Sequence, residues 1–219
     1  MRSGMLERTM ERELIFHGTR AKEFDKFELG MLGTGEGCND ANGFYFVSNL
    51  KGACYHADYK ARQVGKPTVY VCAIKEQAKV VTIGKSISMH PKYLQQHWDK
   101  LPVWISTKRG KEWYSELAKP PENRIHNDLI DLNERKRCHI LRENGIDILK
   151  DFESGQFVDG GYHGRSHLVL NPDSIDIIET LNVEEIYDEI SGRPKFYHLR
   201  KEPCIFGKSN ILSRLCEYD

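Results

Sequence analysis

Three residue groups near the start of the chain have the types and spacing to do chemistry. They are His17-Gly18-Thr19 at the end of a short apolar run, Tyr45 within Gly43-Phe44-Tyr45-Phe46, and Tyr55 within Ala53-Cys54-Tyr55. A glycine beside a strand-end imidazole lets a flat ring lie close to the main chain because it has no Cβ. Aromatic side chains supply stacking faces for an uncharged heterocycle. Between these groups, residues 28–42 hold Gly30, Gly33, Gly35 and Gly37, whose backbone amides can face an anionic pyrophosphate. Those glycines do not follow the strand-then-helix arrangement of a dinucleotide-binding fingerprint. Each group also has a plainer reading taken singly: a satisfied histidine at a strand end, two core tyrosines, and a loop.

The elements that must position these residues are legible from pattern. Leu14-Ile15-Phe16, Phe44 to Val47 and Thr68 to Ile74 are rich in β-branched and aromatic residues and read as strands. Leu50 to Arg62 places Ala53, Ala57 and Ala61 four residues apart, which predicts a helix packed beneath the site. Gly65-Lys66-Pro67 ends it. Val80 to Ile83 predicts a short strand, and residues 86–145 change character, with Trp98, Trp104 and Trp113 among charged segments and Pro120-Pro121 as a break. This stretch reads as a helical insertion whose last helix, Asp128 to Glu143, stops at Asn144-Gly145. Ile146 to Leu149, Ser166 to Leu170 and Ile175 to Leu181 follow as strands, separated by a glycine-rich connection and by Asn171-Pro172-Asp173. Residues 182–219 form a C-terminal extension with no assigned role. One domain spanning 1–219 is expected.

Composition excludes several classes. With 32 basic and 32 acidic residues the formal net charge is +0, so no global field draws in nucleic acid or an anionic membrane, and any such contact needs a local patch. The six cysteines form no CxxC pair, which argues against a zinc or redox motif and for reduced thiols in the cytoplasm. No apolar run reaches the length of a signal peptide or membrane span. A soluble cytoplasmic protein is expected, with delivery into a host cytosol by a specialised secretion machine left open.

In the order His17-Gly18, Tyr45, Tyr55, these groups resemble the NAD-binding half of diphtheria-toxin-type ADP-ribosyltransferases, which include the poly(ADP-ribose) polymerases. Gly43-Phe44-Tyr45-Phe46 and Ala53, with the short gap from Tyr45 to Tyr55, are closest to the bacterial and phage members. The resemblance implies an α+β fold of two packed, mostly antiparallel sheets around an NAD cleft. It implies that His17 bonds a ribose hydroxyl, that Gly18 offers its backbone to the nicotinamide amide, and that Thr19 shapes the turn. It further implies that Tyr45 lines the slot, that Tyr55 stacks on nicotinamide, and that the loop holding Gly35 covers the cofactor. Ser48 and Ala53 complete the expected NAD-binding set. The implied activity is an NAD-dependent glycosyl transfer in which NAD is the substrate and no metal is required. Positioning, and stabilisation of an oxocarbenium-like ribose, would carry most of the catalysis.

The third motif departs from the family. The family often begins this strand with a glutamate, in the form Glu-Tyr-Val-Val-Phe-Asp-Pro, whereas here the segment is Ser166-His167-Leu168-Val169-Leu170-Asn171-Pro172. Ser166 takes the glutamate's place, and a neutral hydroxyl cannot give a developing cation the same stabilisation. Three readings follow: a mono-ADP-ribosyltransferase, which is preferred; substitution by another side chain, with Glu153, Gln156 or His163 in the glycine-rich connection able to swing in and His163 or Glu153 then serving the acceptor as base; or a catalytically silent module binding NAD or ADP-ribose. His167 should point to the opposite face from Ser166. The arginine-type toxin clade is set aside because His17 stands where its arginine would be, and Glu184-Glu185 reads as a solvated helix face.

The acceptor, protein or RNA/DNA, is read outside the NAD motifs, and the helical insertion is the natural place. Lys108-Arg109-Gly110-Lys111 with Trp104, Trp113 and Tyr114 could hold a single strand by phosphate contact and stacking; the competing reading makes the aromatics core and the charges solvated surface. Arg135-Lys136-Arg137 carries the same two readings. A toxin or effector of this kind would also have a cognate antitoxin or immunity protein as partner.

Overall fold

The β-branched and aromatic runs pair with one another, and the resulting sheet carries helices on one face. A computed structural model describes residues 12–32, 43–59, 65–90, 92, 113–114, 117, 127–152 and 164–188. The strands are β1 (Leu14–Thr19), β2 (Phe44–Val47), β3 (Thr68–Ile74), β4 (Val80–Thr82), β5 (Ile148–Lys150), β6 (Ser166–Val169) and β7 (Ile175–Asn182). The helices are α1 (Leu50–Tyr59), α2 (Asn127–Glu143) and α3 (Val183–Asp188).

All seven strands belong to one sheet of order β4-β5-β6-β2-β1-β3-β7, antiparallel except for the β4/β5 pair. The α+β class holds, but the expectation of two packed sheets does not. Strand β2 pairs with β6 over its whole length and also touches β1 at Phe16/Val47, which joins what would be two halves into a single layer.

Alternation sorts the side chains between two faces. On one face Phe16, Val47, Val69, Val71 and Leu181 meet Ala53, Cys54 and Ala57 of α1 and Val183 and Ile186 of α3. Further along that face Leu149, Leu168 and Leu170 meet Cys138 and Leu141 of α2 together with Trp113, Tyr114 and Leu117. The opposite face holds Ile15, Phe46, Tyr70, Cys72, Ile148 and Val169, covered by Phe24 and Phe27 from the segment after β1 and by Ala78.

Within the 86–145 stretch, Trp113, Tyr114, Leu117, Cys138 and Leu141 belong to the core. Trp113 is fully buried, and its indole N–H donates to the Lys85 carbonyl at 3.1 Å. Tyr114 is buried as well, with the Arg137 guanidinium 5.4 Å from its ring centre. For these two aromatics the stacking role in nucleic-acid binding gives way to packing, because burial beside Leu117 and Cys138 removes their faces from solvent. Trp104 and Lys108-Arg109-Gly110-Lys111 lie outside the described residues, while Arg135 and Lys136 are exposed.

Helix α2 ends as its sequence dictates. Gly145 takes a φ of 74°, and the Ile146 and Gly145 amides bond back to Leu141 and Arg142, satisfying the last turn. The expected boundary of the C-terminal extension moves: β7 runs through Asn182, and α3 seats Val183 and Ile186 in the α1 cluster. Glu184 and Glu185 are exposed on α3, as read. The described cysteines, Cys54, Cys72 and Cys138, are buried, and burial pushes the Cys72 thiol up to about 12. Among the described residues no helix is long and apolar enough to cross a membrane.

Candidate functional site

His17, Gly18 and Tyr45 lie where the β1/β2 pairing stops. Strand β1 pairs with β3 from Leu14/Ala73 to Thr19/Thr68, but shares with β2 the single register pair Phe16/Val47. The direction of the main-chain groups follows from the flanking bonds. Ile74 N–H donates to the Glu13 carbonyl, so odd-numbered residues of β1 turn their polar groups to β3 and even-numbered ones to β2. Ser48 N–H donates to the Arg165 carbonyl, so even-numbered residues of β2 turn to β6 and odd-numbered ones to β1. Gly18 and Tyr45 thus direct their amides and carbonyls at the same gap without forming a register pair.

His17 bridges that gap. Its Nδ1 lies 2.7 Å from the Tyr45 carbonyl oxygen. A carbonyl can only accept, so Nδ1 carries the proton, and in the neutral ring Nε2 presents its lone pair. An imidazole stands where a continued ladder would place the Gly18 amide.

The two predicted ring systems do not share one slot. His17 lies on the face of Phe27 and Phe46, with ring centres 5.2 and 5.4 Å away. Tyr45 lies on the helix-bearing face, its ring 5.6 Å from that of Phe152 and packed against the Leu168 cluster. Alternation is the cause, since His17 stands opposite Phe46 in the register and Tyr45 opposite Gly18. The residues are joined through a backbone carbonyl, not through facing side chains.

Gly18 has a packing reason to be glycine. A Cβ there would stand 1.9 Å from the Ala53 carbonyl oxygen and 2.8 Å from the Ala57 nitrogen, so α1 rests directly on the β1 main chain. Ala53 is small for the same close approach. Thr19 is buried, and its hydroxyl accepts from the Ala21 amide at 3.1 Å, shaping the turn after β1. Tyr55 is half-buried on the side of α1 away from Ala53 and Ala57, with the His56 ring 5.9 Å off. That position does not bring its ring to Tyr45 or Gly18.

Ser48 is exposed, and its hydroxyl accepts from the Arg165 amide at 2.8 Å. Ser166 pairs with Val47 on the helix-bearing face that Tyr45 and Gly18 also share, while the β6 partner of Tyr45 is Leu168. The Ser166 side chain is buried, and its carbonyl accepts from the Phe152 amide. Gly35, Glu153, Gln156 and His163 lie outside the described residues. Phe152 packs against Tyr45, and Gly164 has a φ of 65° at a point where a Cβ would meet the Ser48 hydroxyl at 2.6 Å.

His167 points to the face opposite Ser166, as alternation requires. It is 3% exposed, and neither ring nitrogen has a hydrogen-bond partner. Burial, aided by Lys150 and Arg165 and opposed by Glu13 and Asp151, lowers its pKa to about 4, so it is neutral at physiological pH.

Sequence reasoning missed two contributors. Asn49 caps α1, its Oδ1 accepting from the Gly52 amide at 2.7 Å, and an asparagine just before a helical run is the signal that marks it. Phe27 walls His17, and the pair Phe24-x-x-Phe27 so soon after the histidine is the available clue. Among the described residues no group of three His, Cys, Asp or Glu side chains could hold a metal ion. No family model matches the chain, and neither does any curated protein or solved structure.

Proposed function

We propose that the chain is a mono-ADP-ribosyltransferase that consumes NAD and modifies a macromolecular acceptor, protein or nucleic acid. The observation that carries this reading is the interrupted ladder at Gly18 and Tyr45, bridged by His17 Nδ1 at 2.7 Å. A primary carboxamide presents an N–H and a C=O side by side, the complement of the Gly18 main-chain edge. The nicotinamide amide is such a group, and the His17 Nε2 lone pair suits a ribose hydroxyl donor. In the reaction the bond from the nicotinamide nitrogen to the ribose carbon breaks, nicotinamide leaves as a neutral ring, and an acceptor oxygen or nitrogen bonds the same carbon. The acceptor's proton passes to a base, for which Glu153 and His163 are the candidates from the sequence.

A second reading, a silent NAD- or ADP-ribose-binding module, draws on Ser166. No residue from Gly164 to Val169 is acidic, and Ser166 is a buried hydroxyl at the position of the family's glutamate. Incubation of the protein with labelled NAD and total cell protein or RNA separates the two. The transferase reading expects nicotinamide release and label transfer, reduced at least about 100-fold by His17→Ala in folded protein, with Tyr45→Ala also impaired. Tight NAD binding without turnover supports the module, and neither binding nor turnover sinks both. Protease- or nuclease-sensitivity of the label assigns the acceptor class.

A further inference from the structure

We infer that Phe27 and Tyr70 form an aromatic brace that fixes the orientation and tautomer of His17 before any ligand arrives. The consequence for catalysis rests on the NAD reading; the effect on His17 does not.

Residues 20–28 contain no helix or strand, so something other than backbone regularity must hold Phe27 in place. Tyr70 supplies it. It is fully buried, pairs with His17 in the β1/β3 register, and its hydroxyl oxygen accepts from the Phe24 amide at 2.9 Å. The Phe24 and Tyr70 rings stack at 4.2 Å with planes 15° apart. Phe24 in turn meets Phe27 edge-on at 4.9 Å, and Phe27 is 4% exposed. Phe27 then stands edge-on to His17 at 5.2 Å, with Phe46 at 5.4 Å from the same imidazole.

These contacts act together on one ring. The bond to the Tyr45 carbonyl fixes which nitrogen carries the proton, and the phenyl walls penalise any rotation that would press a polar nitrogen against carbon. A ring turned away from Tyr45 would also break the Nδ1–carbonyl bond. His17 is thereby held with Nδ1 protonated, and the acceptor character of Nε2 is built into the free protein.

Imidazole nitrogen NMR on the full chain at about pH 8, above the ordinary imidazole range, tests this. The expected wild-type signature for His17 is the Nδ1–H tautomer alone. Phe27→Leu, which keeps apolar volume but removes the aromatic edge, is expected to give a mixture of tautomers and to reduce kcat/KM for NAD roughly tenfold. Tyr70→Phe deletes one hydroxyl and is expected to give a smaller admixture. A wild-type Nε2–H signature overturns the brace, as does a folded Phe27→Leu protein whose Nδ1–H signature is unchanged. Should Phe27→Leu fail to fold, an unchanged signature in Tyr70→Phe overturns it equally, and an admixture sustains it. Absence of NAD turnover in the wild type would remove the transferase reading while the tautomer measurement still decides the brace.

Discussion

Strand β1 has two neighbours and meets them differently. Toward β3 it forms a continuous ladder of six register pairs, all backbone; toward β2 it forms one pair and then a bridge made by a side chain. The ladder side is filled by Val69, Val71 and Tyr70 and leaves no polar main-chain edge unpaired along its length. The bridged side leaves the Gly18 edge turned toward a strand that has moved away. A sheet gains stability from the first arrangement, and on the proposed function the second is where a ligand's amide would pair. Both can coexist on one strand because odd and even residues present their main chains to opposite neighbours.

The largest expected effect comes from closing the distance at Gly18. Replacing it with alanine would drive a Cβ to 1.9 Å from the Ala53 carbonyl, a backbone group that cannot rotate aside, so α1 must lift from β1. Urea denaturation followed by circular dichroism is expected to register a loss on the order of 3 kcal/mol. An unchanged midpoint would mean that α1 does not rest on the bridged strand at all.

A comparable effect, dependent on pH, separates the two imidazoles on one face. His17 is anchored on Tyr45, whereas His167 is buried without a partner and titrates near 4 in the fold instead of 6.5. Between those values the unfolded chain holds more protons than the folded one, so stability falls as pH drops through that window. The loss is up to about 3 kcal/mol and is complete below about pH 4. His167→Phe is expected to flatten this dependence while leaving stability at neutral pH equal or slightly higher, because an unsatisfied polar ring is exchanged for an apolar one. A wild-type stability curve with no slope between pH 4 and 6.5 would contradict the burial of a neutral imidazole.

The smallest effect sharpens the contrast at the helix that covers the bridged strand. Asn49→Ala removes the cap from the first turn of α1 and is expected to cost about 1 kcal/mol in thermal or chemical denaturation. Equal stability of the variant would show that the α1 N-terminus is held by the Ser48–Arg165 contact and not by its cap.

Local chemistry made most elements legible in the sequence. The β-branched run Thr68–Ile74 is a strand, the alanine spacing of α1 faces the sheet, and Asn144-Gly145 ends α2. Strand β1 extends past Phe16 to Thr19 because its ladder with β3 overrides the weak strand preference of His-Gly-Thr. That one layer would form, with β2 joining β6 to β1, depends on pairing between residues far apart in the chain, which no local pattern encodes. At the site, the adjacency of His17 and Tyr45 on neighbouring strands was legible from their order along the chain. The face each side chain takes depends on register, and register separated the His17 ring from the Tyr45 ring. For Trp113 and Tyr114 packing was the readier reading and solvent stacking the alternative, because an aromatic beside lysines carries no mark of which side faces inward.

The burial of Trp113 gives the molecule an optical gauge of its own assembly. Its indole sits in a dry setting with the N–H engaged by Lys85, which calls for blue-shifted emission shielded from aqueous quenchers. The difference between wild-type and Trp113→Phe spectra isolates that fluorophore. It reports, without any added dye, whether the segment that follows β4 has docked on the sheet.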